Sequence, residues 1–493
     1  MLTNLLAIAP ELVLTAAVLL VILVDLLLRA HPSRRGALVA VATAGLAIAG
    51  AAFWLAPHGG AAFGGLISGD ELGRFFRGLF LLAAFFGIAF GALSSEVPAS
   101  RFGEFTLLML SATLGMSFLV QSSNLLMILL SLELLSLPSY VLAGFRRGDR
   151  RSSEAALKYV IYGGAASGLM LYGFSLLYGI TGTLNLHELG PALAAAAADG
   201  SPSMRAGIAL AAFLPLVGYG YKVAAVPFHQ WCPDVYEGAP TPVTAFLSVG
   251  PKAAGLVALI RFVSEGFGVS AVDVATPGSL PWPIILGLLA MATMTLGNLA
   301  ALGQTNVKRL LAYSSIAHAG YLLMGVAVGT PDGIRAVALY APIYLLMNLG
   351  AFLVVLMIRE RTGSEDISAY KGLGTRSTLA AVGLAICLFS LVGLPPFAGF
   401  IGKFYLFASV LETGSSFFYV VAAVGVLNAV ISLYYYARLL KTMFLEPATD
   451  TSPVPVATAG LAMLLFLAVP TLILGVWWAP LSTLASRAAG LAG

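Results

Sequence analysis

Apolar runs of about 20 residues recur along the whole chain and leave few folds open. A run of that length lets an α-helix cross a bilayer. Fourteen can be read, at 5–28, 37–56, 76–94, 104–121, 123–144, 155–179, 205–229, 242–264, 283–302, 307–328, 335–358, 378–410, 417–442 and 455–479. Only 10% of the 493 residues are charged and 59% are hydrophobic, against about 25% charged in soluble domains. That much apolar surface has no place in a water-soluble core. The expected fold is an all-α polytopic membrane protein, with the lipid bilayer as its solvent. No segment reads as an independent soluble domain. The N-terminal run lacks a basic leader and carries Glu11, so it reads as a retained first helix rather than a cleaved signal.

The pI near 9.0 does not point to nucleic acid, because the cations follow membrane topology. Of 26 Lys and Arg, sixteen fall in one set of alternate loops and six in the other, and Lys158, Lys222, Lys252 and Lys403 lie within spans. The rich side is expected to be cytoplasmic, with both termini on the periplasmic side. Two cysteines, Cys232 and Cys387, offer neither a metal-binding spacing nor a plausible disulfide.

Two stretches break their apolar runs in the same way. "PLVGYGYK" (215–222) and "PFAGFIGK" (396–403) both read P-x-x-G-x-x-x-K. One shift of 181 residues pairs Pro215 with Pro396, Gly218 with Gly399 and Lys222 with Lys403. It also pairs Tyr140–Gly144 with Tyr321–Gly325, Tyr159 with Tyr340 and Thr181-Gly182 with Thr362-Gly363. The shift moves each span by five. Five is odd, so the two units are expected to run in opposite directions, the inverted-repeat plan of many transporters. Helix breaks are expected in spans seven and twelve, at Pro215 and Gly218 and at Pro395, Pro396 and Gly399, because proline removes a helical donor. The chain then divides into three N-terminal helices (1–103), a first five-helix unit (104–265), an inverted second unit (283–445) and a C-terminal helix (453–493).

A lysine at mid-membrane costs at least ~2.5–3.5 kcal/mol. Glu133, Lys222, Lys252, His318 and Lys403 read as a row of titratable groups crossing the protein parallel to the membrane. The bland alternatives are snorkelling to the interface, an i,i+4 pair of Lys158 with Glu154, and a satisfied core histidine at 318. Glu11 and Asp25 read as interfacial. A row of this kind suits proton storage and transfer, with the distance between Glu133 and Lys222 tuning the lysine. The chain shows no dinucleotide loop, no P-loop and no bis-histidine haem site, so any energy source must be an ion gradient or a partner.

Between spans seven and eight runs "PFHQWCPDVYEGAPTPVTAFLSVGPKAAG" (227–255). It resembles the antiporter-like membrane subunits of respiratory complex I, the NADH:quinone oxidoreductase, and "PDVYEGAPTPVTAF" resembles the subunit N branch. The subunit L branch carries a long amphipathic helix after its last spans that is not found here, and the subunit M branch usually has Glu where Lys403 stands. The resemblance implies a proton-translocating subunit. Glu133 matches the glutamate of span five, Lys222 its partner lysine, Lys252 the connecting lysine, Lys403 the terminal residue and Lys158 a span-six lysine. His318 occupies a linker position, and His229 and Asp234 read equally as structural or as part of proton entry. It also implies that NADH, FMN, iron–sulfur clusters and quinone are held by partner subunits and not by this chain. The expected neighbours are subunits M and K, in a bacterial cytoplasmic membrane. The alternative is a subunit of a multisubunit sodium/proton antiporter, and a third reading is a membrane-bound hydrogenase subunit.

Overall fold

The computed structural model describes residues 2–54, 56, 59–198, 201–268, 280–448, 452–454 and 457–491. The expected start of the last span at 455, residue 55 of the second span, and most of the connection between the two units lie outside them. After a short helix α1 (Leu2–Ala7), the first spans are α2 (Ala9–Leu27), α3 (Arg34–Ala52) and α4 (Glu71–Leu93). Between α3 and α4 a small hairpin pairs β1 (Ala61–Ala62) with β2 (Ile67–Ser68). The first five-span unit holds α5 (Phe102–Leu119), α6 (Leu125–Ala143) and α7 (Arg150–Thr181), then the surface helix α8 (Leu186–Ala197), the split pair α9 (Pro202–Val223) and α10 (Trp231–Gly238), and α11 (Thr241–Phe267). The second holds α12 (Trp282–Leu302), α13 (Val307–Val328) and α14 (Pro331–Thr362), then the short α15 (Leu373–Arg376), the split pair α16 (Thr378–Val392) and α17 (Ala398–Leu411), and α18 (Ser416–Phe444). The last span is α19 (Thr458–Val476), followed by α20 (Ala479–Ala488). Among the described residues thirteen single helices are long and apolar enough to cross a membrane, and α16 with α17 supplies the fourteenth crossing.

The two units repeat each other closely up to their third helix. Helices α7 and α14 are both 32 residues long. Each starts behind a side-chain cap, Asp149 or Thr330, and ends on a glycine at positive φ, Gly182 (72°) or Gly363 (69°), a conformation glycine adopts without strain. The chain after each glycine bridges back to the start of the second helix, Asn185 to Asn124 and Asp366 to Asn306. Close helix packing repeats too. A Cβ on Gly115 would fall 2.4 Å from the Leu135 nitrogen, and one on Gly297 would fall 2.7 Å from the Ala317 nitrogen. Small residues let membrane helices touch backbone to backbone.

Beyond that point the 181-residue register fails. Helix α9 runs unbroken through Pro215 and Gly218 to Val223. Pro215 gives up one backbone donor but packs on Gly173. The other helical bonds persist because no water is present in lipid to replace them. The break comes later, at Ala224 (φ 60°) and the cis Val226–Pro227 peptide. Its counterpart is Gly393 (φ 90°) with the cis Pro395–Pro396 peptide. These breaks are 169 residues apart, since the loop and first half-helix of the second unit are shorter. Pro395 and Pro396 therefore lie in a break as expected, Gly399 lies just after it in α17, and Pro215 and Gly218 mark none. Lys222 ends the half-helix before its break and Lys403 lies on the half-helix after its own, so the two lysines are not equivalent. In the true register Asp234 stands where Lys403 does.

Helix α11 forms the axis, with every residue from Thr241 to Val263 buried; α13 and α14 pack beside it. The flanks present exposed Leu19, Leu27, Val430, Tyr434 and Val476 to lipid. Glu11 is not interfacial in its surroundings. It is 1% exposed, pairs with Arg77 at 2.7 Å, and takes bonds from Ser117 and Gln121. Asp25 pairs with Arg34 at 2.7 Å. Arg261, buried in α11, pairs with Asp70 at 2.6 Å and Glu265 at 2.5 Å, tying the N-terminal helices to the first unit.

The second break depends on backbone contact. A Cβ on Gly399 would lie 1.8 Å from the Ser390 carbonyl oxygen, and the Gly399 N–H donates to Ser390 Oγ at 3.0 Å. Gly399→Ala is expected to destabilise the protein by about 1–3 kcal/mol, seen as a lower thermal midpoint in detergent. Gly179→Ala, with open space around it, should leave that midpoint unchanged or raise it slightly.

Candidate functional site

Glu133 lies in α6 one helical turn before Ser136, and Lys222 closes α9. Lys222 is 1% exposed, and its ammonium donates to Ser136 Oγ at 2.9 Å. The Ser136 hydroxyl is itself oriented by donating to the Leu132 carbonyl at 2.6 Å, which leaves its lone pairs toward the lysine. Glu133 and Lys222 form no direct ion pair. Glu133 Oε1 is buried without a partner, and the residue is half-buried on a flank beside exposed Leu130, Leu134 and Leu137. Lys222 is thus bonded to a neutral hydroxyl and not to the acid.

Lys252 is held at the centre of α11. Its ammonium donates to Ser315 Oγ at 2.6 Å, lies 3.8 Å from Cys232 Sγ and sits 5.4 Å from the centre of the Tyr236 ring. Ser315 belongs to α13, and His318 follows one turn later. His318 Nδ1 shares a hydrogen bond with the Tyr340 hydroxyl at 2.6 Å. One further turn along α13 is Tyr321, whose ring lies 4.5 Å from the Lys403 ammonium. Lys403 donates to the carbonyls of Leu391 at 3.0 Å and Val392 at 2.8 Å. Those acceptors exist because α16 stops there. Helix α13 therefore carries Ser315, His318 and Tyr321 as successive steps from Lys252 to Lys403. An apolar groove of about 330 Å³ between α17 and α18, lined by Phe400, Phe404, Phe407 and Leu433, reaches Lys403 from the flank.

Lys158 stands apart from this row. It is partly exposed and paired with Glu154 at 2.7 Å and Asp234 at 2.6 Å. Asp234 also pairs with Arg309 at 2.6 Å. They belong to an ion-pair network on the arginine-rich face. Glu237 pairs with Arg309 at 2.9 Å, Glu365 with Lys308 at 3.1 Å and Arg359 at 2.8 Å, and Glu96 with Arg146 at 3.4 Å and Arg359 at 3.3 Å. A cavity of about 160 Å³, room for several waters, is lined by Arg151, Glu154, Asp234, Glu237 and Arg309. Among the described residues His229 makes no ion pair with this network, and its Nδ1 is buried without a side-chain partner. Sequence reasoning placed these charges in loops on one side. Nothing in their spacing revealed that Glu96, Glu237 and Glu365 would join five separate connections. Among the described residues no cluster of three His, Cys, Asp or Glu could hold a metal, and both cysteines are free.

Two carboxylates at opposite faces report on this clamping. Burial opposes ionisation of Glu365, but the charges of Lys308 and Arg359 outweigh it and hold the carboxyl below its ordinary 4.5. Burial likewise opposes ionisation of Asp70, and the Arg261 charge and hydrogen bond hold it below its ordinary 3.8. A carboxylate with a depressed folded value stabilises fully above its ordinary value and loses that stabilisation as pH falls through the depressed one. The thermal midpoint should therefore be flat from neutral pH to about pH 5 and fall below about pH 4. Glu365→Gln removes the carboxylate paired with buried Lys308 but leaves its bonds to the Glu237 and Ala239 carbonyls, so it should cost about 1.5–3 kcal/mol at pH 7 and flatten the acid fall.

Comparison with known proteins gives the family and the fold. The family model described as NADH:quinone oxidoreductase/Mrp antiporter, TM, matches residues 122–432. NADH-quinone oxidoreductase subunit N of Anaeromyxobacter sp. (strain Fw109-5) is 49% identical over 486 residues, covering 96% of this chain and 94% of the relative. Subunit N 2 of Sorangium cellulosum (strain So ce56) is also 49% identical, covering 98% and 97%. Among solved structures, a chain of respiratory complex I from Thermus thermophilus with bound aureothin is 34% identical, with a TM-score of 0.77 and coverage of 97% and 99%. A chain of the Mrp complex from Dietzia sp. DQ12-45-1b is 24% identical with a TM-score of 0.79, a likeness of fold. The chain belongs to the NADH:quinone oxidoreductase/Mrp antiporter transmembrane family, in its NADH-quinone oxidoreductase subunit N branch.

Proposed function

We propose that this chain is the proton-translocating subunit N of an NADH:quinone oxidoreductase, and that Glu133, Lys222, Lys252, His318 and Lys403 carry the protons. The observation that supports this reading is the kind of partner each buried lysine has. Lys222 and Lys252 bond to serine hydroxyls and Lys403 to backbone carbonyls. An ammonium held by neutral oxygens can release its proton without leaving a carboxylate unpaired. A closely paired lysine, such as Lys158 between Glu154 and Asp234, holds its proton and suits a gate on the arginine-rich face.

In this reading a change at Glu133 alters the field at Lys222 across Ser136. The proton is passed to Lys252, through His318, and on to Lys403. Each charge moved against the membrane potential costs ~2.3 kcal/mol per 100 mV, so the drive comes from partner subunits. Electron transfer from NADH through flavin and iron–sulfur clusters to quinone belongs to those partners. Subunit K suits the Glu133 flank and subunit M the Lys403 flank. The arginine-rich face is then cytoplasmic, in a bacterial inner membrane.

Tagged protein extracted in mild detergent should run in one large native band with NADH dehydrogenase activity. In membrane vesicles, Lys252→Ala and Lys403→Ala should each lower NADH-driven proton pumping about tenfold or more with the chain still assembled. A tag that runs apart from that activity, with sodium-driven proton exchange in vesicles, would replace this reading with the antiporter one.

A further inference from the structure

We propose that the Ser315 hydroxyl holds the Lys252 nitrogen in both of its protonation states, accepting a hydrogen bond from the ammonium and donating one to the neutral amine. This rests on the relay proposed above and assigns a positioning residue within it. The Lys252 ammonium donates to Ser315 Oγ at 2.6 Å, and the two residues are buried, at 3% and 0% exposed. Its other near neighbours are the Cys232 sulfur at 3.8 Å and the Tyr236 ring, whose centre is 5.4 Å away. A thiol is a weak donor, and the face of a ring attracts a cation but donates nothing. Ser315 is the strong hydrogen-bonding partner.

The two charge states need opposite things from that partner. An ammonium has three donors and no acceptor. After it gives up a proton, the amine carries a lone pair, and a buried lone pair without a donor is costly. A serine oxygen can meet either need, because it has one proton and two lone pairs and its proton turns without moving a heavy atom. It can do so only if that proton is not committed elsewhere. Ser136, which faces Lys222, has committed its own, to the Leu132 carbonyl at 2.6 Å. Ser139, Ser248, Ser409 and Ser432 likewise donate to carbonyls of their own helices. Among the described residues no carbonyl takes the Ser315 proton; besides Lys252, its polar neighbours are the hydroxyls of Tyr236 on α10 and Tyr344 on α14.

The exchange displaces no heavy atom. With Lys252 charged, Ser315 accepts from the ammonium and points its proton at a tyrosine oxygen. When the proton leaves Lys252, the serine O–H turns to the nitrogen, and the tyrosine O–H turns to donate to the serine in its place. No covalent bond to Ser315 forms or breaks, so the serine positions the lysine and does not carry the proton. Lys403 is situated otherwise. Its partners, the Leu391 and Val392 carbonyls, can only accept and serve the ammonium alone. Lys222 faces a hydroxyl whose proton is committed. Of the three lysines in the row, Lys252 is the one whose partner suits a group that gains and loses its proton in each cycle.

Ser315→Ala removes the hydroxyl alone. In the assembled complex it should lower the ratio of protons pumped to NADH oxidised about tenfold, the expected effect of a buried amine left without its donor in one state. Ser315→Thr and Ser315→Val share one shape and differ in the hydroxyl, so Ser315→Thr should pump with a higher ratio than Ser315→Val. A wild-type ratio in Ser315→Ala, or equal ratios in the other two, would overturn the proposal. Lys252→Met, measured alongside, separates the two levels. If it abolishes pumping while Ser315→Ala pumps normally, Ser315 has no positioning role and the functional reading stands; if Lys252→Met itself pumps normally, the relay fails and the proposal with it. Should Ser315→Ala not accumulate, the comparison of Ser315→Thr with Ser315→Val decides by the same criterion.

Discussion

The second unit turns on the bond between the Lys403 ammonium and the carbonyls of Leu391 and Val392. A helix that stops inside a membrane strands its last carbonyls, and lipid offers no water to satisfy them. A lysine in the same place carries donors that lipid cannot satisfy either. Broken helix and buried cation each meet the other's need, and the rest of the half-helix geometry follows. Gly399 lets α17 lie against Ser390, and Gly393 gives its Cβ position over to the lysine stem. The first unit closes its break differently. The Trp231 indole donates to the Tyr221 carbonyl at 3.0 Å, which leaves Lys222 free to turn toward Ser136 and Glu133. One fold thus sets two lysines in two chemical situations, one bonded to the carbonyls of its own break and one to the hydroxyl of a neighbouring helix.

Helix α13 converts these local arrangements into a path. Its residues 315, 318 and 321 recur every three positions, so they stack on one face and meet Lys252, the two tyrosines of α14 and Lys403 in turn. The stacking is rigid because α11, α13 and α14 pack as the buried centre of the chain. Meanwhile the charged residues of the arginine-rich face link connections that the membrane would otherwise leave independent. Asp234 joins α7 to α13, and Glu96 joins the first loops to the end of α14.

Much of this was legible in the residues. Long apolar runs meet one physical requirement, a helix that spans the bilayer, so the count of crossings could be read directly. The serine, tyrosine and carbonyl partners of the lysines were not legible, because neutral polar residues at mid-span look like ordinary helix contents. The matching P-x-x-G-x-x-x-K stretches misled. Pro215 and Pro396 share a motif, yet one sits inside a continuous helix and the other in a break. A proline's effect depends on what packs against it, and Gly173 accommodates Pro215. Glu11 shows the converse. Its place near a helix end suggested an interface, but Arg77, Ser117 and Gln121 enclose it.

By itself the sequence determined the class of fold, the fourteen crossings and the odd spacing that inverts the second unit. These follow from hydrophobic length and charge, which are properties of the chain taken a stretch at a time. Only the tertiary structure decided which break matches which, that Lys222 bonds to Ser136 and not to Glu133, that Lys158 is clamped at a face rather than set in the row, and that Lys252 bonds to Ser315. Those outcomes depend on contacts between helices up to hundreds of residues apart, where an ångström of packing decides whether a polar group finds an acid, a hydroxyl or a water.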